Sequence, residues 1–135
     1  MTKRIYSVLL FSAFITISFL FQSCSKSEGP GGSSSIKGKI HVLVYDVANN
    51  LINEYDAPKE DVYLVYGDVD TFYDDDVETS HDGTFEFNYL RPGKYQLFVY
   101  ESCTTCPSGK RAVILDLEIT DKNSTLDIGT VNILD

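Results

Sequence analysis

The stretch TSHDGTFEFNYLRPGKY, residues 79–95, decides the fold that this sequence predicts. Apolar and polar side chains alternate from Thr84 onward, which is the period of two of a half-buried β-strand and not the 3.6 of a helix. On such a strand Phe85 and Phe87 point to the same side. We therefore expect both rings to fill a hydrophobic core.

Turn dipeptides bound this strand on both sides. Asp82-Gly83 precedes it, and because Asp-Gly pairs favour tight two-residue turns we predict a hairpin there. Pro92-Gly93 follows it, and a Pro-Gly pair predicts a tight turn in which the glycine takes a positive φ. Tyr95, just beyond this turn, is predicted to pack inward with its hydroxyl near the turn.

The same period of two extends in both directions along the chain, and no stretch of residues 36–135 carries a convincing helical stripe. Seven runs separated by turn residues predict strands at 36–46, 62–66, 72–79, 83–90, 94–101, 111–120 and 126–134. Seven short strands at this spacing are typical of a sandwich of two sheets. We therefore predict one small all-β domain, a seven-stranded antiparallel two-sheet sandwich over residues 36–135.

Residues 79–95 resemble the signature T-x-x-D-G-x-F-x-F-x-x-L-x-P-G-x-Y of carboxypeptidase-regulatory-like domains. Ile36 and Gly38 resemble the first strand of that family, residues 61–64 resemble its second, and the likeness covers nearly all of 36–135. The resemblance implies a prealbumin-like sandwich, related in fold to the Cna-B-like repeats of collagen adhesins. It implies no function, because one fold serves many functions.

The N-terminus predicts export. Lys3 and Arg4 precede an uncharged run over residues 5–21, which is the pattern of a secretory signal, and Cys24 follows shortly after. The segment resembles a lipoprotein signal of Bacteroidetes-type bacteria, which implies removal of residues 1–23 and a lipid anchor on Cys24. An ordinary secretion signal and an uncleaved span, at the lower limit of length for crossing a bilayer, stay open.

These features predict a protein of the cell envelope, held by lipid on the outer membrane at its periplasmic face or on the cell surface. Residues 24–35 are rich in glycine and serine, so we predict a flexible linker before the domain. The formal charge is −9, and removal of Lys3 and Arg4 with the signal makes it −11. Such an acidic domain repels nucleic acid, which we exclude as a partner.

Cys103 and Cys106 form a C-x-x-C pair. In an exported protein paired thiols usually oxidise, so a structural disulfide is the favoured interpretation. Redox exchange requires a helix N-terminus to lower the thiol pKa, and no helix is predicted after Cys106. A metal site with His81, which the predicted strand directions place at the same end of the sandwich, and unpaired thiols stay open; we expect no cofactor.

A second candidate site is the acidic stretch that carries Asp68, Asp70, Asp74 and Asp76. Calcium prefers such clusters of oxygen ligands, but the spacing fits no EF-hand loop. A solvated strand edge that blocks unwanted pairing is the favoured interpretation.

A third candidate is an aromatic surface. If Tyr95 faces the core, strand alternation turns Phe98 and Tyr100 outward, and Tyr63 is outward by the same argument. Exposed rings can stack on sugars or contact a protein. No G-x-S-x-G, H-E-x-x-H or phosphate-loop motif is present, so we predict a non-enzymatic interaction module. The alternative is a small-ligand or metal-binding lipoprotein that uses the loops of Cys103, Cys106 and His81.

Overall fold

The computed structural model of the chain describes residues 28–67 and 72–135, which form two β-sheets packed face to face. The predicted signal peptide, Cys24, Asp68 and Asp70 lie outside the described residues. Within the described part no helix is long and apolar enough to cross a membrane. The prediction of an all-β sandwich is confirmed.

The described residues contain eight strands where seven were predicted. They are β1 (Pro30–Tyr45), β2 (Leu51–Asp56), β3 (Asp61–Tyr66), β4 (Asp75–Glu78), β5 (Thr84–Leu90), β6 (Gly93–Ser102), β7 (Lys110–Ile119) and β8 (Thr125–Leu134). The missed strand is β2, whose sequence LINEYD is almost entirely exposed. Strand β2 forms by backbone pairing with β1 and not by burial of one face. Its sequence therefore shows no alternation of apolar and polar residues that would predict a strand.

The first sheet is built around β1. One edge of β1 pairs with β5 through its N-terminal half and with β2 through its C-terminal half, both antiparallel. The other edge pairs with β8 in the parallel sense, from Ser35 beside Thr125 to Leu43 beside Leu134. The prediction of a wholly antiparallel sandwich is therefore wrong for this pair.

The second sheet has the order β4-β3-β6-β7 and is antiparallel throughout. Since β4 belongs to the second sheet and β5 to the first, Asp82-Gly83 joins two sheets and closes no hairpin, contrary to the prediction. Thr79 redirects the chain at this point, because its hydroxyl donates to the Ala57 carbonyl and accepts from the Glu60 N–H, 2.8 Å away.

The core lies between the sheets and contains both predicted rings, Phe85 and Phe87. Six side chains in it are fully buried, at 0% exposed, and come from both sheets: Ile36, Ile40, Val62, Leu64, Leu97 and Val99. Tyr95 is 1% exposed and its hydroxyl donates to the Arg91 carbonyl at 2.6 Å. The prediction of an inward Tyr95 beside a turn is confirmed.

Residues 28–35, the N-terminal strap, belong to the folded body. The predicted flexible linker is therefore wrong for this segment, and the domain begins before residue 36. The Gly29 N–H donates to the Tyr95 hydroxyl at 3.0 Å, and Ser34 is 1% exposed. Glycine is required here for close approach, since a Cβ on Gly32 would overlap the backbone carbonyl of Leu90.

Candidate functional site

The two outer faces of the sandwich differ in chemistry. On the first sheet the outward residues of β1 form ion pairs with neighbouring strands: Lys37 with Asp127 at 3.4 Å, and Lys39 with Asp56 at 2.8 Å. His41 lies 2.9 Å from the same Asp56 carboxylate. Hydrogen bonds from Lys39 and then from His41 lower the pKa of Asp56. Charged groups along β1 from Lys37 to His41 therefore satisfy one another on this face.

The outer face of the second sheet is aromatic. Tyr63 on β3 lies directly opposite Phe98 on β6, and their rings stack at 4.9 Å with an interplanar angle of 16°. Tyr100, two residues along β6, meets Phe98 edge-on at 5.6 Å and is 41% exposed. The three residues predicted as a surface are thus adjacent, and together with Tyr73 and Phe72 we name them the aromatic face.

Tyr73 and Phe72 were not predicted as part of this surface. The Tyr73 ring lies 4.8 Å from that of Tyr63, and Phe72 is 85% exposed. The sequence prediction assigned both to a strand, whereas β4 begins only at Asp75. The available signal was a pair of adjacent aromatic residues next to a run of aspartates, which is unusual for a solvated segment.

A groove of about 420 Å³ follows the aromatic face. Its lining combines four aromatic residues with side chains from β6 and β7, namely Phe72, Tyr73, Phe98, Tyr100, Gln96 and Ile114. Ile114 is 56% exposed. The groove is within the size range of small-ligand sites.

Carboxylates surround the aromatic face. Asp76 lies opposite Tyr63 in the strand register. Asp116 accepts a hydrogen bond from the Gln96 side-chain amide at 3.0 Å, and Asp61 accepts one from the Tyr63 hydroxyl at 3.4 Å. Partial burial and then the Asp61 charge raise the pKa of Tyr63. By strand alternation the outward cations of these four strands are two lysines, Lys94 and Lys110, so the rim is acidic.

The structure joins Cys103 and Cys106 by a disulfide in the loop between β6 and β7. Backbone hydrogen bonds close this loop, including Cys103 N–H to the Gly109 carbonyl at 2.8 Å. Cys103 lines a surface groove with Tyr45 at the end of β1, whereas the connection that carries His81 bonds to Ile40, five residues earlier on β1, so His81 is not beside the cysteines. The predicted common site of the two cysteines and His81 is therefore wrong.

The bonded sulfurs also remove the thiolates that a metal site would need. Among the described residues no group of three or more His, Cys, Asp or Glu side chains could hold a metal ion. Asp74, one of the weak calcium candidates, accepts the Tyr66 N–H at 2.7 Å, and Asp76 belongs to β4 beside β3. These two aspartates thus border a strand pair.

Removal of the disulfide should have a small effect. The Cys103→Ser/Cys106→Ser variant releases a closed loop of only four residues, for which the chain-entropy relation gives about 2 kcal/mol of lost stability. Urea denaturation of the variant and the oxidised wild type measures this difference. A loss well above that value would mean that the bond also organises neighbouring strands. Tight zinc binding by the reduced wild type would instead support the metal alternative.

No protein-family model and no curated protein matches the chain in sequence. Among solved structures it is similar to a "putative carbohydrate binding protein" from Pseudomonas aeruginosa, with 12% identity, a TM-score of 0.46, and 82% and 92% of the two chains covered. It is also similar to (S)-allantoin synthase, with 12% identity, a TM-score of 0.44 and 77% of this chain covered. A third likeness is to a 9R-lipoxygenase from Cyanothece PCC8801, at 18% identity and a TM-score of 0.38.

The chain spans 42% of the synthase and 16% of the lipoxygenase. At these identities and TM-scores the likenesses fix neither a ligand nor an activity for this chain. The resemblance to carboxypeptidase-regulatory-like domains stays a prediction.

Proposed function

We propose that this protein is a non-catalytic interaction module of the cell envelope, held by lipid on Cys24, which binds a glycan or protein partner through the aromatic face. The observation that carries the proposal is the contrast between the two outer faces. Ion pairs link β1 to its neighbours on the first sheet, where exposed apolar side chains such as Tyr45 and Ile52 lie at the end of β1 and on β2, whereas the second sheet exposes a cluster of rings in mutual contact. Solvent-exposed apolar patches with polar rims are typical of interaction sites.

The energetics of the aromatic face favour a bound partner. Phe72, Tyr73 and Ile114 are each about half exposed or more, and covering such side chains releases about 25 cal/mol per Å² of apolar area. Aromatic residues also lose little side-chain entropy on binding and are enriched among the residues that dominate binding energy. The rigid β-sheet beneath them fixes their spacing, which further lowers the entropic cost.

The N-terminal strap supports a short tether. Its Gly29 carbonyl accepts the Arg91 N–H at 3.0 Å, so the folded body begins only a few residues after Cys24. Four residue steps, from Cys24 to Glu28, span at most about 14 Å when fully extended. An acyl anchor on Cys24 would therefore keep the domain close to the membrane. Mass spectrometry of the mature protein should find acylated Cys24 as its first residue, and an unmodified N-terminus elsewhere would contradict the anchor.

Substitution of Tyr100 tests the interaction surface. Tyr100→Ala should weaken retention of the mature protein on native envelope material about tenfold, which corresponds to about 1.4 kcal/mol of lost ring contact. The matched control is Tyr55→Ala on the first sheet, because Tyr55 is 40% exposed against 41% for Tyr100. Equal binding by the two variants would contradict the proposal.

A further inference from the structure

We infer that the ligand of the aromatic face is a neutral glycan chain. The inference rests on the proposed function and names the chemical class of its partner. Two properties of the aromatic face support it. Hydrogen-bonding groups lie beside the rings, and the charge around the rings is negative.

Hydrogen-bonding groups alternate with rings on this surface. Gln96 precedes Phe98 by two residues on β6 and forms a hydrogen bond with Asp116 on β7. The Tyr63 hydroxyl reaches Asp61 at 3.4 Å on the opposite side of the cluster. A sugar ring presents apolar C–H groups on its faces and hydroxyl groups around its edge. It can therefore stack on a ring while its hydroxyls replace or extend these same hydrogen bonds to the carboxylates.

The charge on the rim selects the glycan class. Asp61, Asp76 and Asp116 adjoin the rings, and Glu78 and Glu118 occupy outward positions further along the same strands. By strand alternation Lys94 and Lys110 are the only outward cations of the described strands of this sheet, and the exposed Arg111 is paired with Glu101, so the local charge is negative. Such a rim repels uronate, sulfate and phosphate groups. Uncharged hydroxyls meet no such penalty, and they can donate to the carboxylates.

The same rim disfavours a protein partner. The buried centres of protein interfaces are depleted in charged residues, whereas carboxylates here border the rings closely. A basic peptide could neutralise them, but an aromatic cage, which holds a cation tightly, needs several ring faces that converge on one point. The rings of Tyr63 and Phe98 instead stack on each other at 16°, so these two faces are not available to form a cage.

The test uses the mature protein in detergent and four probes: a soluble neutral β-glucan, a galactomannan, polygalacturonate and poly-lysine. We expect affinity electrophoresis to show binding of at least one neutral polysaccharide, with less than a twofold change between about 50 and 500 mM salt. Tyr100→Ala should weaken that binding about tenfold, and Tyr55→Ala should leave it unchanged.

Charge reversal on the rim gives an independent test. The Asp76→Lys/Asp116→Lys variant should gain binding to polygalacturonate, because its rim no longer repels carboxylates. Glu54→Lys is the control, since Glu54 lies beside His41 on the first sheet. No gain in the double variant, or an equal gain in the control, would overturn the argument from rim charge.

The outcomes separate the inference from the proposed function. Wild-type binding of polygalacturonate or poly-lysine in preference to neutral glycans overturns the inference. Capture of a protein that depends on Tyr100, without any glycan binding, overturns the inference and leaves the proposed function standing. If no partner of either class depends on Tyr100, both are wrong.

Discussion

Replacing Gly83 with alanine should lower the free energy of unfolding by about 2–5 kcal/mol, the combined cost of a left-handed alanine and of forced overpacking. Gly83 has a φ of 78° and lies where the chain crosses from the second sheet to the first. Its carbonyl accepts the Ile40 N–H at 2.9 Å. Gly83 therefore fixes the connection between β4 and β5 to the middle of β1.

Two separate effects should add in this variant. The backbone conformation alone costs a non-glycine residue about 1–2 kcal/mol. In addition, a Cβ on Gly83 would overlap the Ile40 carbonyl oxygen and approach the Ala57 nitrogen at 3.2 Å. That carbonyl already accepts the Ala57 N–H, so it cannot move without breaking the junction at which β1 changes partner from β5 to β2.

Gly109→Ala separates the two effects. Gly109 has nearly the same φ, 72°, but a Cβ added there meets no atom within 4 Å. We expect this control to lose only the conformational part, about 1–2 kcal/mol. Denaturant titration of both variants measures the difference between them. Equal losses would show that the close approach to Ile40 relaxes at no cost.

The residue pattern predicted the structure correctly where it had one local physical cause. The alternation around Phe85 and Phe87 predicted a strand and its buried side, and Tyr95 was correctly placed beside the turn at Arg91. It failed where the cause was remote in sequence. Asp82-Gly83 specifies a local turn, but which sheet receives the next strand depends on Thr79 bonding to Ala57, and no local pattern encodes that contact.

The candidate site likewise contains some residues that strand alternation predicted and others that it did not. Strand parity turned Tyr63, Phe98 and Tyr100 outward, and the register of β3 with β6 makes them neighbours. Tyr73 lies in the segment before β4, outside any strand, and its ring contacts that of Tyr63. The alternation of residues along a strand could not predict this contact. The grouping of His81 with the cysteines failed for a related reason. The unpredicted strand β2 and the crossing at Ile40 place that loop beside the middle of β1.

Tyr95→Phe should destabilise the protein by about 1–3 kcal/mol, although it removes a single oxygen atom. The hydroxyl accepts the Gly29 N–H at 3.0 Å and donates to the Arg91 carbonyl at 2.6 Å. Burial raises the pKa of Tyr95, so the group stays protonated and able to donate at neutral pH. Phenylalanine would leave the Gly29 N–H and the Arg91 carbonyl without this partner.

The effect of Tyr95→Phe should concentrate in the N-terminal strap. The Gly29 N–H loses its acceptor, and the pairing of the Gly29 carbonyl with the Arg91 N–H at 3.0 Å then lacks its support. Hydrogen exchange of residues 29–35 should accelerate more than that of the core strands, because the strap can open without unfolding the sandwich. Such opening would also lengthen the tether between the domain and Cys24.

Tyr66→Phe is the matched control for this prediction. The Tyr66 ring meets that of Tyr95 edge-on at 5.9 Å, but within residues 28–67 and 72–135 its hydroxyl reaches only the exposed Asp75 carboxylate, at 3.4 Å. Its removal should change stability by about 0.5 kcal/mol or less. If the two variants are equally stable, or if exchange in the strap does not change in Tyr95→Phe, then the strap is held by its glycine packing against Leu90 and not by the tyrosine hydroxyl.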